Sequence, residues 1–258
     1  MAGKTIGLVA AMPEEIRPLL RHVGKCGREK VSGFNLYRFI NGGRDVVLIE
    51  SGIGAARAAQ ATGVLLDSAS PDIILNFGFA GAVLAGPAVG DIVVADRLLF
   101  FKERLFTEQQ GPPPGLPEEL VSLLKQGCGG EKIRIHCGTF ISAGEIVAKH
   151  RLAGLLPAGT TNPVLEMETA AVARIAARGK IPVAAVRAIS DAADEELDFS
   201  IEEFTDREMN IRVLKVLRTV AGKPRIIPQL CRLARNSKRA GENLAVALMA
   251  LLKNLPIS

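Results

Sequence analysis

The chain has 258 residues, 48% hydrophobic and 23% charged, a balance typical of a folded globular domain. No apolar stretch approaches the roughly 18 residues of a membrane-spanning helix. The cysteines form no CxxC motif and the histidines show no ligand spacing, so we expect no metal site, no disulfide framework and a reducing, cytoplasmic setting. With one Tyr and no Trp, the chain offers little aromatic surface for stacking bases, and we expect no nucleic-acid partner.

The first half of the chain alternates apolar runs with turn and helix signals. "KTIGLVAA" (4–11) predicts a strand, and a helix follows from Pro13, where Glu14 and Glu15 suit the positive end of its dipole. "FNLYRFI" and "RDVVLIE" flank "NGG" and predict a hairpin. "SGIG" (51–54) precedes an Ala-rich helix that should stop near residues 68–72. Residues 72–83 and 90–100 read as buried strands, the first broken by two glycines where something should lie close to the backbone.

The second half continues the alternation after a Pro-rich loop, 107–117, in which we expect no regular structure. Strands are predicted at 132–143 and 181–190, with a strand end and a helix between them in "VLEMETAAVARIAARG", stopping at Gly179. The pattern predicts a three-layer α/β fold: a mixed, largely parallel sheet flanked by helices over residues 1–205. Residues 206–258 carry eleven Lys/Arg against three Asp/Glu, a net +8 in a chain of +5, and predict a basic helical C-terminal extension.

Acidic side chains stand at or just past the ends of several predicted strands, where such sheets bind their ligands. Alternation along a strand places Glu166 and Glu168 on one face. Two neighbouring acids there suit a partner with two hydroxyls, such as a vicinal diol, or an ion pair with Arg187 or Arg174. The sequence therefore predicts either a sugar site or a buried ion pair.

Each remaining candidate has a functional and a structural interpretation. Asp191 follows a buried strand, and a half-buried carboxyl there can hold a proton and donate it, or cap the next turn. Glu15 faces the proposed crevice or serves only the helix dipole. Ser51 and Gly52 either cradle an anion or nucleophile with their amides or form a tight turn.

Six segments, in order from about residue 5 to 205, resemble the motif set of the nucleoside phosphorylase and nucleosidase superfamily, most of all the methylthioadenosine/S-adenosylhomocysteine nucleosidases. They are "IGLVAAMPEE", "SGIGAARAA", "PDIILNFGFAGAV", "GDIVVAD", "LEMETAAVARIA" and "VRAISDAAD". The resemblance implies hydrolysis of the N-glycosidic bond of a 5′-modified purine nucleoside, of adenine type, through an oxocarbenium-like transition state. It also implies a homodimer that acts without a cofactor.

The resemblance also assigns roles to residues. Asp191 would protonate the purine at N7, Glu15 would orient or deprotonate the attacking water, and Glu168 would bind the ribose hydroxyls. Met167 would pack on the sugar. The other predicted substrate contacts are Glu166, Phe79, Ile146, Val147 and Ser190.

This chain departs from the family pattern at several positions. Ile146 and Val147 stand where the nucleosidases have an aromatic residue that stacks on adenine. Asn76 and Phe79 stand where hexameric phosphorylases carry Arg and Ser for phosphate, which favours hydrolysis.

The C-terminal extension resembles a different group. "KPRIIPQLCRLARNSKRA" is similar to the tail of hopanoid-associated phosphorylases, which remove adenine from an adenosyl lipid. In that alternative phosphate is a co-substrate and the basic extension contacts a membrane surface, whereas packing on the protein body or on another subunit is the simpler interpretation. Futalosine hydrolysis and non-catalytic nucleoside binding are further alternatives.

Overall fold

The computed structural model describes residues 4–130, 132–145, 147–195 and 227–255. The strands in these ranges are β1 Thr5–Ala10, β2 Gly27–Val31, β3 Phe34–Asn41, β4 Arg44–Glu50, β5 Ile73–Ala82, β6 Ile92–Lys102, β7 Leu105–Glu108, β8 Ile135–Ala143, β9 Val164–Glu166 and β10 Val183–Asp191. The helices are α1 Pro13–Leu20, α2 Ala55–Ala69, α3 Leu116–Gly127, α4 Lys149–Ala153, α5 Thr169–Arg178 and α6 Ile227–Asn254.

The strands form one mixed sheet with β1 near its middle. β1 pairs in parallel with β4 and β5, and the antiparallel strands β3 and β2 extend the β4 side. On the other side β5, β10, β6, β8 and β9 pair in sequence, and β9 returns to β5, so these five strands close into a ring. β5 belongs both to the open sheet and to the ring, and its carboxyl end is therefore surrounded by strands and helices.

Alternate side chains of β1 enter two different cores, as a strand covered on both faces requires. Ile6, Leu8 and Ala10 pack with residues of α1, α3 and α6. Val9 faces the opposite way and packs with residues of α2 and α5. The predicted fold, a mixed sheet flanked by helices, is confirmed.

The two halves of α6 differ in their surroundings. From Ala240 to Leu252 most of its apolar side chains are buried in the same core as β1, and Leu255, just beyond the helix, is buried with them. The preceding turns are exposed and carry Arg232, Arg235 and Lys238. Packing on the body, the simpler interpretation of the extension, therefore holds for residues 240–255, and no helix among the described residues is long and apolar enough to cross a membrane.

Two local predictions have different outcomes. The hairpin is confirmed: Asn41 pairs with Arg44, and the two-residue turn is Gly42-Gly43, at φ 58° and 76°. The expectation of no regular structure over 107–117 is wrong at both ends, because β7 continues to Glu108 and α3 begins at Leu116. The intervening Pro-rich residues form the loop, since proline lacks the amide hydrogen that a strand or helix interior needs.

Candidate active site

The carboxyl end of β5 lies between two acidic side chains that reach it from other elements. β5 pairs with β10, so that Asp191 stands opposite Gly81. A Cβ added at Gly78 would lie 2.5 Å from Oε1 of Glu15, and one at Gly81 would collide with Oδ2 of Asp191. Something close to the backbone was predicted at these glycines, and it is this pair of carboxylates. Three strand residues span about 10 Å, so both acids stand along one strand end.

Glu15 is held by the backbone around it. Its side chain is buried, and its carboxylate accepts hydrogen bonds from the amides of Ala11 (2.9 Å), Met12 (2.8 Å) and Phe79 (2.8 Å). Burial raises the pKa of Glu15, although the Phe79 amide and the charge of Arg187 oppose the shift. A carboxyl that is fixed in place and has a raised pKa is suited to proton transfer.

Glu168 is the N-cap residue of α5 and is also buried. Its carboxylate accepts hydrogen bonds from the amides of Gly54 (2.7 Å) and Met167 (3.2 Å). Burial and the negative charge of Glu166 raise the pKa of Glu168 to about 7. Because each carboxylate oxygen accepts from one amide, both oxygens retain lone pairs for the hydroxyls of a ligand.

Glu166, in contrast, is fully engaged inside the protein. It pairs with the buried Arg187 at 2.7 Å and accepts hydrogen bonds from the Ser142 hydroxyl, from both the amide and the hydroxyl of Thr169, and from the Glu168 amide. Burial acts to raise the pKa of Glu166, but the Arg187 guanidinium and the hydroxyls outweigh it, and the net shift is downward. Of the two predicted roles for these acids, Glu166 takes the ion pair.

The expectation that Glu166 and Glu168 share a strand face is wrong. β9 ends at Glu166, and Glu168 has φ −123° and ψ −38°, which departs from strand geometry. Alternation stops where the strand stops, because it depends on extended backbone.

Asp191 is the last residue of β10 and follows a bulge. Ile189 pairs with Ala80 and Asp191 with Gly81, so Ser190 is an extra residue in β10. Such a bulge changes the direction of the next side chain, that of Asp191. The Ser190 hydroxyl donates to Oδ1 of Asp191 at 2.7 Å, and the ammonium of Lys149 pairs with Oδ2. The Asp191 side chain keeps 26% of its surface exposed, so it is open to a ligand.

Capping of the following turn falls to a different acid. The amide of Ala192 donates to Oε2 of Glu195 at 3.2 Å. The capping role considered for Asp191 therefore belongs, at this amide, to Glu195. Sequence reasoning missed Lys149 altogether.

The predicted anion cradle at Ser51 and Gly52 needs correction. Their amides donate to the carbonyl oxygens of Ala10 (2.8 Å) and Ala11 (3.0 Å), so these donors are already used. The Ser51 hydroxyl is likewise within hydrogen-bonding distance of the Ala10 and Gly52 carbonyls. The anion that this turn does bind is a side chain of the protein, the Glu168 carboxylate on the Gly54 amide.

The other predicted contacts are apolar. Phe79 is half-buried against the core that contains α6, and a Cβ at Gly241 of α6 would lie 3.5 Å from its ring. Val147 is half-buried against a separate apolar cluster around Leu152, and Met167 is half-buried next to Glu168. Ile146 lies outside the described residues. Among the described residues no group of three or more His, Cys, Asp or Glu side chains is arranged to hold a metal ion.

Comparison with known proteins identifies the family. Residues 5–221 match the model of the phosphorylase superfamily. A 5′-methylthioadenosine/S-adenosylhomocysteine nucleosidase from Actinobacillus succinogenes is 33% identical over 208 residues, 77% of this chain and 90% of the relative. A nucleosidase of the same name from Listeria monocytogenes serotype 4b is 31% identical over 238 residues, 84% of this chain and all of the relative.

A solved structure agrees with these matches. The S-adenosylhomocysteine nucleosidase from Streptococcus pyogenes, in complex with 5-methylthiotubericidin, superimposes with a TM-score of 0.72 at 25% identity, over 100% of this chain and 99% of that one. The sequence prediction of the superfamily is confirmed, and the chain belongs to the phosphorylase superfamily.

Proposed function

We propose that this chain hydrolyses the N-glycosidic bond of a 5′-modified adenine nucleoside of the methylthioadenosine or adenosylhomocysteine type. The observation that carries the proposal is the position of Glu15 and Asp191 along the carboxyl end of β5, with Glu15 close enough to Glu168 for its charge to help raise the pKa of Glu168. The names of the relatives, and the 5-methylthiotubericidin held by the Streptococcus pyogenes enzyme, support the same substrate class.

The reaction needs one proton donor and one acceptor on opposite sides of the bond that breaks. Asp191 gives its proton to N7 of the purine, and the electron pair of the C1′–N9 bond leaves with the base. Glu15 takes a proton from water as the water oxygen bonds to C1′. The products are free adenine and the 5′-modified ribose, and Asp191 and Glu15 exchange their protons with solvent before the next cycle.

The remaining candidates bind or orient. Glu168 accepts hydrogen bonds from the ribose 2′- and 3′-hydroxyls and steadies the cationic sugar of the transition state. Met167 packs on the sugar, while Ser190 orients the Asp191 carboxyl through its hydrogen bond. Phe79 lies on the 5′ side and Val147 beside the base. Glu166 supports the site indirectly, through its ion pair with Arg187.

The assembly and the cellular setting belong to the same proposal. The chain acts in the cytoplasm as a homodimer and without a cofactor. Light scattering coupled to size-exclusion chromatography tests the dimer, and a monomer at micromolar concentration contradicts it.

Base release is the direct test of the proposed function. Methylthioadenosine, adenosylhomocysteine, inosine, futalosine and an adenosyl lipid are each incubated with the enzyme, with and without phosphate. We expect adenine from the first two at a rate that phosphate does not change. If base is released only from futalosine, futalosine replaces methylthioadenosine and adenosylhomocysteine as the assigned substrate. If nucleosides bind but no base is released, the protein is a non-catalytic relative.

Substitution of the proposed acid tests the mechanism. Asp191→Asn removes the proton donor but keeps the shape, so we expect turnover to fall by about 10²- to 10⁴-fold with an unchanged circular dichroism spectrum. The control is Asp67→Asn, in α2 and away from β5. Turnover near that of the wild type contradicts the acid role.

Phosphorolysis of an adenosyl lipid is the second candidate. The exposed first half of α6 favours it, because the cations there are placed to meet an anionic bilayer surface. Two results together support this candidate: strict dependence of adenine release on phosphate, and sedimentation with vesicles that contain phosphatidylglycerol. Rates that are independent of phosphate exclude it.

A further inference from the structure

Lys149, the first residue of α4, is a buried cation that the proposed reaction does not yet use. Its ammonium pairs with the Asp191 carboxylate. It also donates to the carbonyl oxygen of Ala192 at 2.7 Å and lies 3.3 Å from the Glu195 carbonyl oxygen and 3.4 Å from that of Asp191. An ammonium has three hydrogens to donate, and the acceptors around this one belong to Asp191 or to the turn that follows it.

The same turn is held from the other side by α6. The Glu195 carboxylate accepts hydrogen bonds from the Ala192 amide (3.2 Å) and from the Asn236 side chain (3.2 Å), and it pairs with Arg232 at 3.3 Å. Residues 191–195 are therefore fixed between α4 and α6. The position of Lys149 against Asp191 does not depend on a single contact.

The Lys149 ammonium stabilises the charge that proton transfer leaves on Asp191. When Asp191 passes its proton to the purine, negative charge develops on its carboxyl, and the Lys149 ammonium is already beside it. The other charged side chains near the turn are Glu195, Arg232, Arg239, Asp91, Lys132 and Arg134.

We propose that Lys149 is a positioning residue that holds Asp191 in place and stabilises the negative charge that the Asp191 carboxyl acquires when it gives its proton to the purine. The inference rests on the proposed function, because it assigns to Asp191 the role of general acid. Lys149 acts through Asp191 and the turn behind it, and it needs no contact with the nucleoside.

The split between kcat and KM separates this role from a structural one. Lys149→Gln keeps a hydrogen-bond donor for the Ala192 carbonyl but removes the charge. We expect kcat to fall by about 10- to 100-fold with little change in KM, because the charge acts in the transition state and not in substrate binding. Lys149→Arg keeps the charge and should retain most of the wild-type kcat. A loss in Lys149→Gln that appears in KM, or an equal loss of kcat in Lys149→Arg, overturns the proposal.

A double-mutant cycle gives a second, independent readout. If Lys149 acts through Asp191, adding Lys149→Gln to Asp191→Asn should change kcat by less than about twofold, because the group it serves is absent. Multiplied losses overturn the proposal and leave the proposed function standing. If instead the wild type releases no base from any nucleoside, the proposed function fails and this inference fails with it. The melting temperature of each variant is measured to check that the fold is retained.

Discussion

Glu166 and Glu168 are two residues apart and both buried, yet the protein holds them in opposite ways. Glu166 lies against the Arg187 guanidinium, which lowers its pKa despite burial. Glu168 contacts the amides of Gly54 and Met167, and burial raises its pKa to about 7. The comparison separates two uses of a buried acid. Glu166, which is paired with a cation, stabilises the end of β9. Glu168, which accepts hydrogen bonds only from amides, can still bind a ligand.

Glu15 belongs with Glu168 in this division. Its carboxylate is also held by backbone amides, and burial also raises its pKa. Four experiments test this distinction between an acid paired with a cation and acids held by backbone amides.

The largest of the four expected effects is the loss of activity in Glu168→Gln. The amide side chain presents a donor where the ribose hydroxyls need an acceptor, so we expect kcat/KM to fall by about 10³-fold. Discrimination between ribo- and 2′-deoxyribonucleosides should shrink at the same time. Steady-state kinetics on both substrates measures this, with Glu108→Gln, in an exposed ion pair, as the control. Unchanged discrimination contradicts the contact with the sugar hydroxyls.

Glu166→Gln should act on stability more than on chemistry. It leaves the Arg187 guanidinium buried without its counter-charge, and removal of one partner of a buried pair costs about 3 kcal/mol or more. Urea unfolding measures the loss. Glu29→Gln breaks the exposed pair with Arg38 and should cost less than about 1 kcal/mol. Equal losses in the two variants contradict a stabilising role for the buried pair of Glu166 and Arg187.

Gly78→Ala tests the close approach of Glu15 to β5. The added methyl would stand 2.5 Å from a carboxylate oxygen, so Glu15 must move, and we expect turnover to fall by about 10²-fold. Gly63→Ala is the matched control, because nothing lies within 4 Å of the added carbon. In the middle of α2 it should stabilise the fold by up to about 1 kcal/mol. Full activity in Gly78→Ala contradicts the placement of Glu15.

The smallest effect concerns the pH dependence of stability. The pKa of Glu168 rises from 4.5 to about 7 on folding, so the folded state binds the proton more tightly than the unfolded state. This stabilising contribution is complete below pH 4.5 and is lost as pH rises through 7. Glu168→Gln should therefore melt about 2–4 °C above the wild type at pH 8, with a smaller gain at pH 5, by scanning calorimetry. The same gain at both pH values contradicts the raised pKa.

Much of the fold was predictable because buried strands need apolar residues. The runs around β1, β5, β6, β8 and β10 carry that signal, and the Gly-rich turn marked the hairpin of β3 and β4. β2 was missed because "GREKV" has almost no apolar character. It is a strand because Ser32 and Gly33, both at positive φ, turn the chain back so that β2 pairs with β3.

The candidate site was predictable only in part. Resemblance drew attention to Glu15, Glu168 and Asp191, but alternation misassigned the Glu166–Glu168 face because it assumed a strand that had already ended. Lys149 gave no signal, since one Lys in "VAKH" belongs to no motif. Its partners are separated from it by more than 40 residues, and only the folded chain brings them together.

The charged residues of β2 also affect how copies of the chain interact with each other. β2 pairs with β3 on one side, and no other described strand pairs with its second side. An open row of amides and carbonyls invites a strand from another molecule. The exposed Arg28, Glu29 and Lys30 make that partnership unfavourable, so the polarity of this short edge protects the protein against aggregation.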